Sequence, residues 1–217
     1  HFIVAPTGVM YLNTYQGPQW QEPVLSFGGN NSLKNIYHYE PVERYWTMSM
    51  REHLLGVQAS LWTEFCEKEE DVDYLLFPRL GAIAEAVWSV PMSKKWERFL
   101  LALDDYQERW EMKGIRPSQS MFNVQHEVVS DYGSFKVSLE CIRPDVEIRY
   151  TTDGREPDRF SSQYWRPLTL KEAKVVKCAT FKNGKKKGQT LVLPIHKKGM
   201  PVKNLLRSNH VERRVMN

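Results

Sequence analysis

Cysteine is scarce in this 217-residue chain: Cys66, Cys141 and Cys178 form no C-x-x-C pair. That spacing argues against a zinc ribbon and against a dense disulfide framework. Cys141 and Cys178 lie in apolar, strand-like stretches, where two buried thiols are expected and a single bridge between them is the alternative. Long apolar runs are lacking as well. None approaches the roughly 20 residues that span a bilayer, so no membrane segment is expected. An initiator methionine and a signal peptide are also missing: the chain starts His1-Phe2-Ile3-Val4, as a sequence does when it opens inside something longer. With 41% hydrophobic and 26% charged residues, the composition is that of a globular protein and excludes disordered or fibrous classes.

Charge is unevenly spread. Residues 1–116 carry 11 Lys/Arg against 16 Asp/Glu, and the remainder carries 19 against 10, so the balance moves from −5 to +9. A shift of that size points to two units with separate surfaces. The basic half has no basic helix and no RNA-binding aromatic signature, so a solvated mixed surface is expected and no nucleic-acid partner.

Hydrophobic periodicity divides the chain at the same place. Phe2-Ile3-Val4-Ala5 reads as a short buried strand. A polar, aromatic-rich loop follows, with a Gly28-Gly29-Asn30-Asn31 turn cluster. Residues 42–55 read as a helix stopped by Gly56, and residues 56–62 as a second buried strand. Apolar residues from 72 to 88 recur at a helical period that Pro78 must start, kink or interrupt. A further amphipathic helix is expected from Ser93, as N-cap, to Met112, with Gly114 ending it. After Pro117 the period falls to two: residues 134–141, 145–152 and 174–181 alternate apolar and polar side chains, and Asp153-Gly154 and Asn183-Gly184 are tight-turn signals. Residues 1–116 are therefore expected to be α/β, residues 117–196 a small antiparallel β-sandwich, and residues 197–217 a basic, poorly ordered tail.

Two short motifs combine residue types suited to chemistry: Tyr11-x-Asn13 after the first strand and Trp62-x-Glu64 after the second. In an α/β barrel, side chains at the C-terminal strand ends face the active site. An indole can cover the apolar face of a sugar while a carboxylate accepts hydrogen bonds from its hydroxyls. Taken alone, Trp62 could equally be a core aromatic and Glu64 a solvated loop residue. Glu69-Glu70-Asp71 reads as a charge cluster at a helix N-terminus.

The surrounding sequence resembles the family 20 glycoside hydrolases, the β-N-acetylhexosaminidases. The run from Gly56 to Glu64 is similar to that family's last barrel strand with its Trp-x-Glu signature. Leu76-Phe77-Pro78-Arg79-Leu80 and then Ala82-Ile83-Ala84-Glu85-Ala86-Val87-Trp88 resemble its Pro-Arg and Ala-x-x-Glu-x-x-Trp helix. Residues 2–15 resemble the preceding strand and its Tyr-x-Asp motif, and Tyr39-Glu40-Pro41 a Tyr/Phe-x-Pro step. The likeness runs continuously to about residue 116. Downstream, Tyr150-Thr151-Thr152-Asp153-Gly154, Pro157, the Ser161 to Tyr164 spacing and Ala179-Thr180-Phe181 resemble the sandwich that follows many such barrels.

The resemblance implies the last part of a TIM (β/α)8 barrel, about two of its eight strands with their helices, then an immunoglobulin/fibronectin-like sandwich that buttresses it. It implies removal of terminal N-acetylglucosamine or N-acetylgalactosamine from glycans with retention, the substrate's own acetamido carbonyl acting as nucleophile. No metal or organic cofactor is then needed. Tyr11 would position that carbonyl, and a near-attack geometry can remove about 7–11 kcal/mol of barrier. Trp62 would form a wall of the sugar site, and Glu64 and Asn13 would bind its hydroxyls. Asn13 stands where the family has Asp, which weakens the hydroxyl contact by about half and leaves sugar choice open. The family's Asp-Glu catalytic pair is expected on an earlier strand than this chain contains, so the chain by itself is expected to be inactive and its barrel edges uncovered. A secreted or periplasmic location follows from the resemblance. In the second unit Tyr164, Trp165 and Asp153 could face a sugar, but packing across the sandwich for Tyr164 and turn-making for Asp153 are the favoured roles. The rival reading of the whole chain is a non-catalytic carbohydrate-binding or interaction protein.

Overall fold

A computed structural model describes residues 1–131, 134–171 and 174–195; the tail expected at 197–217 lies outside them. The chain divides into two units, His1–Met121 and Phe122–Asn217.

The first unit contains β1 (Phe2–Val4), α1 (Thr7–Met10), α2 (Leu33–Tyr37), α3 (Met48–Glu52), β2 (Leu54–Val57), α4 (Glu69–Leu76), α5 (Arg79–Trp88) and α6 (Trp96–Met112). β1 and β2 pair in parallel, with Val4 opposite Val57. Both were expected to be buried, and they are not: Ile3 is 55% exposed and Val57 half-buried, while Leu55, expected in the preceding helix, is 65% exposed on β2. Among the described residues the pair has no third strand beside it, so nothing covers these side chains.

Local chemistry trims the expected helices. The one expected over 42–55 is only five residues long, because the Thr47 side chain accepts from the Met50 amide and caps α3 at that point. The strand expected over 56–62 starts earlier and ends at Val57. The long helix around Pro78 is two helices, α4 and α5, parted at Phe77-Pro78, where proline has no amide proton to give. Glu69, Glu70 and Asp71 do sit in the first turn of α4, and Asp71 Oδ2 accepts from the amides of Glu67 (2.9 Å) and Lys68 (3.3 Å). Ser93 does not cap α6; its Oγ donates to the Val90 carbonyl within a 3-10 turn, and α6 begins at Trp96. Gly114, at φ +82°, ends that helix as expected.

α5 buries Arg79, Ala82, Ile83 and Ala86, one face at i, i+3, i+4 and i+7, and packs on α2, which buries Leu33, Ile36 and Tyr37. Tyr37 carries the packing onward to α6, with ring centroids 5.1 Å from Trp96 and 4.8 Å from Phe99.

The second unit is built from β3 (Gln125–Asp131), β4 (Ser134–Glu140), β5 (Glu147–Thr151), β6 (Ser162–Gln163), β7 (Leu168–Leu170), β8 (Lys174–Lys182), β9 (Lys185–Lys186) and β10 (Leu191–Ile195). One sheet runs β3-β4-β7 and the other β10-β8-β5-β6, with β9 added to β8; every pairing is antiparallel. Strict alternation in β4 buries Phe135, Val137 and Leu139, and in β10 Leu191, Leu193 and Ile195. Asn183 and Gly184 both have positive φ and make the tight β8–β9 turn. Asp153-Gly154 behaves differently: only Gly154 has positive φ, and β5 reaches β6 through a ten-residue loop from 152 to 161. There Asp153 holds the loop by accepting from the Arg155 amide (3.1 Å) and side chain (2.6 Å). All three cysteines are free thiols, so Cys141 and Cys178 are not bridged; burial pushes them up to about 11 and about 12.

Candidate functional site

The parallel pairing of the first unit continues past the ends of β1 and β2. The Gln58 amide donates to the Val4 carbonyl (2.9 Å), Ser60 to Met10 (2.9 Å) and Leu12 to Ser60 (2.8 Å), and Tyr11 pairs with Ser60. Between Val4 opposite Val57 and Tyr11 opposite Ser60, one chain advances seven residues and the other three; the four-residue α1 takes up the difference. Tyr11-x-Asn13 and Trp62-x-Glu64 therefore leave neighbouring parallel strands at the same end. A further contact ties the two loops: Phe27, whose amide donates to the Asn13 carbonyl (2.9 Å), has its ring 5.0 Å from that of Phe65, the neighbour of Glu64.

The four candidate side chains differ in setting. Tyr11 is half-buried and Asn13 buried, whereas Glu64 is exposed and Trp62 is 56% exposed. Asn13 Oδ1 is buried with no hydrogen-bond partner among the described residues. An acceptor left so costs about 1–3 kcal/mol; Gln21 Oε1, Glu22 Oε1 and Asn31 Oδ1 are in the same state. Trp62 lies outside any helix or strand, with its indole open to a ligand.

Beneath this loop lies an arrangement that sequence reading did not foresee. Arg79, at the start of α5, is fully buried and donates only to backbone carbonyls: Leu12, Thr14 (3.0 Å), Asn31 (3.4 Å) and Leu75 (2.8 Å). Burial lowers its pKa to about 10, so it stays charged at neutral pH. Nearby, Glu22 Oε2 accepts from the Tyr74 hydroxyl (2.6 Å), which also meets Ser120 Oγ (2.5 Å). Burial, outweighing those hydrogen bonds and the pull of Arg79, raises the Glu22 pKa. The Pro-Arg pair was visible as a motif, but nothing in one sequence says that its arginine is buried.

Glu69 and Glu70 are exposed on α4, Asp71 caps that helix, and Asp104-Asp105 lie within α6. Among the described residues, no group of three His, Cys, Asp or Glu stands together as a metal site would require. Nor, among the described residues, is any helix long and apolar enough to cross a membrane. In the second unit the Tyr164 hydroxyl accepts from the Leu139 amide (3.0 Å), while Trp165 is 80% exposed.

Residues 1–91 match the glycosyl hydrolase family 20 catalytic domain, and residues 130–192 the chitobiase/beta-hexosaminidase C-terminal domain. The chain is similar to a beta-hexosaminidase of Porphyromonas gingivalis, 31% identical over 85% of this chain and 24% of that protein. It is also similar to a beta-N-acetylhexosaminidase of Cellulomonas fimi, 28% identical over 54% of this chain and 23% of that protein. A solved relative, the family 20 beta-N-acetylhexosaminidase of Streptomyces coelicolor A3(2), aligns at 29% identity over 53% of this chain and 23% of its own, with a TM-score of 0.46. The chain thus spans about a quarter of the length of the curated relatives it matches. Residues 1–91 are similar to the glycosyl hydrolase family 20 catalytic domain, and residues 130–192 to the C-terminal domain of chitobiases and beta-hexosaminidases.

Proposed function

We propose that this chain is the C-terminal part of an exo-acting β-N-acetylhexosaminidase that removes terminal N-acetylglucosamine or N-acetylgalactosamine from glycans by substrate-assisted, retaining catalysis. The observation that carries it is the Tyr11–Ser60 pairing, by which both motifs depart from the same end of adjacent parallel strands. In this reading residues 1–116 are the last part of a TIM barrel, residues 117–196 an immunoglobulin/fibronectin-like sandwich, and the whole enzyme acts in the periplasm or outside the cell. No observation favours a purely sugar-binding role.

The roles follow from the chemistry of each group. The Tyr11 hydroxyl donates to the acetamido carbonyl oxygen and aims it at the anomeric carbon. Trp62 covers the apolar sugar face. Asn13 Oδ1, buried and unpartnered, accepts from a ring hydroxyl, and Glu64 accepts from another. The carboxylates that would hold the acetamido N–H and protonate the leaving oxygen are not supplied by the acidic run of α4, where Glu69 and Glu70 are exposed and Asp71 caps the helix.

The 217-residue chain alone is therefore expected to release no chromophore from a chromogenic β-N-acetylglucosaminide; turnover by the pure chain would overturn that division of labour. In the whole enzyme Tyr11→Phe should lower kcat about 10²-fold, the loss typical of removing one positioned hydrogen-bond donor. Trp62→Ala should chiefly raise KM. A whole enzyme inert toward both N-acetylglucosaminides and N-acetylgalactosaminides would sink the proposal.

A further inference from the structure

We propose that Arg79 is a positioning residue of the sugar site, acting through Asn13. The inference rests on the hexosaminidase reading and adds to it a residue that touches no substrate. Arg79 is fully buried, and among the described residues no carboxylate lies within ion-pair distance of it. An aliphatic side chain would fill the space but would take the guanidinium donors from the carbonyls of Leu12, Thr14 and Leu75. What a guanidinium adds is a rigid planar fork with donors at fixed separation.

That fork is set on either side of Asn13. Nη2 donates to the Leu12 carbonyl and Nη1 to the Thr14 carbonyl (3.0 Å), the two that flank it in sequence. The intervening Asn13 carbonyl accepts from the Phe27 amide (2.9 Å), and the Tyr11 carbonyl from Thr14 Oγ1 (3.0 Å). Four successive carbonyls, from Tyr11 to Thr14, are thus all engaged. Within that fixed stretch, Asn13 Oδ1 is the buried acceptor left open. Nη1 also reaches the Asn31 carbonyl (3.4 Å), and the Asn31 amide donates back to Tyr15 (2.8 Å), so the return of the loop is tied to the same guanidinium. The geometry is that of a carboxamide prepared before the ligand arrives, with its ordering cost met on folding. A lysine at 79 would keep the charge and lose the fork.

The test is a double-mutant cycle in the whole enzyme, assayed with a chromogenic β-N-acetylglucosaminide. Arg79→Lys should raise KM at least tenfold while kcat stays within threefold. In an Asn13→Ala background the same substitution should change KM by less than twofold, because its target is gone. A merely structural arginine would instead multiply its effect with that of Asn13→Ala, and that result, or a folded Arg79→Lys enzyme with KM within twofold of wild type, overturns the proposal. If Arg79→Lys does not fold, hydrogen exchange at the Phe27 amide of the wild type decides. It should be slow without ligand and unchanged by N-acetylglucosamine; exchange at a free-loop rate until the sugar is added would show that the loop is not prebuilt. That measurement needs no turnover, so a failed hexosaminidase reading, seen as a wild-type enzyme without activity, is distinguishable from a failed positioning role.

Discussion

At the scale of single residues, composition and motif announced which side chains to inspect, and burial decided what each could do. Asn13 was legible as a polar residue in a Tyr-x-Asn motif; that its Oδ1 is buried without a donor, in a stretch whose carbonyls are held by Phe27 and Arg79, 14 and 66 residues away, was not. Tyr164 was legible as an aromatic with two candidate roles, and its hydroxyl is engaged inside the protein, against the Leu139 amide on β4. Leu139 lies beyond Val137, where pairing of β4 with β7 stops, so that amide has no strand partner on that side and the phenol supplies the acceptor. Tyr164→Phe should therefore destabilise the second unit by about 1–3 kcal/mol, the cost of an unsatisfied buried donor. Urea denaturation followed by a probe in that unit would measure it, and a change below a few tenths would mean that water replaces the hydroxyl. Phe160 and Trp165, each about 80% exposed, stand apart from this contact.

At the scale of elements, the sequence located α3 to α6 and the strands β1, β2, β4, β5 and β8, left α1, α2, β3, β6, β7, β9 and β10 without a place, and misplaced the ends of those it found. Periodicity reports which face is apolar, whereas ends are decided by single side chains that satisfy or remove backbone hydrogen bonds. Thr47 shortens α3, Pro78 divides one expected helix into α4 and α5, and Ser93 turns its hydroxyl to Val90 and leaves α6 to start later. The N-terminus of α4 shows the same logic in a testable form. Asp71 accepts from the amides of Glu67 and Lys68 and adds negative charge to the first turn. Asp71→Ala should cost about 1 kcal/mol, and Asp71→Asn less, since the amide oxygen still accepts. Hydrogen exchange at residues 67 and 68 should accelerate in the alanine variant; unchanged exchange there would show that water caps the helix equally well.

At the scale of the whole molecule, the two units carry carboxyls of opposite character, a buried Glu22 and an ion-paired, solvent-reached Asp145, and their responses to pH should run in opposite directions. Asp145 on the second unit is bound by Arg143 (2.8 and 2.5 Å) and Lys182 (2.6 Å), which hold its pKa well below the ordinary 3.8. Its contribution to stability is complete above that ordinary value and is lost as pH falls through it toward the lower folded value. Glu22 on the first unit has its pKa raised above 4.5, chiefly by burial. Its folded state binds a proton more tightly than the unfolded chain, so stability falls as pH rises from about 4.5 through the higher folded value. Thermal melts between pH 2 and 7 should show the unit-2 transition falling on acidification and the unit-1 transition rising. Asp145→Asn and Glu22→Gln should each flatten only its own curve, and a Glu22→Gln chain whose unit-1 transition keeps its slope would assign the effect to another group. What the sequence determined by itself was the change of period near residue 117, the parallel and antiparallel strands on either side of it, and the two motifs with their family. These are local or repeated signals, carried by the side chains that make them. Only the tertiary structure decided that four consecutive carbonyls are held around Asn13, that Arg79 is buried beneath them, and that Glu22 is raised while Asp145 is lowered. Most of those depend on what distant segments bring within about 3 Å of a polar atom, as Arg79 does for Leu12 and Thr14, while Arg143 reaches Asp145 from two residues away; hydrogen bonding acts only at that range.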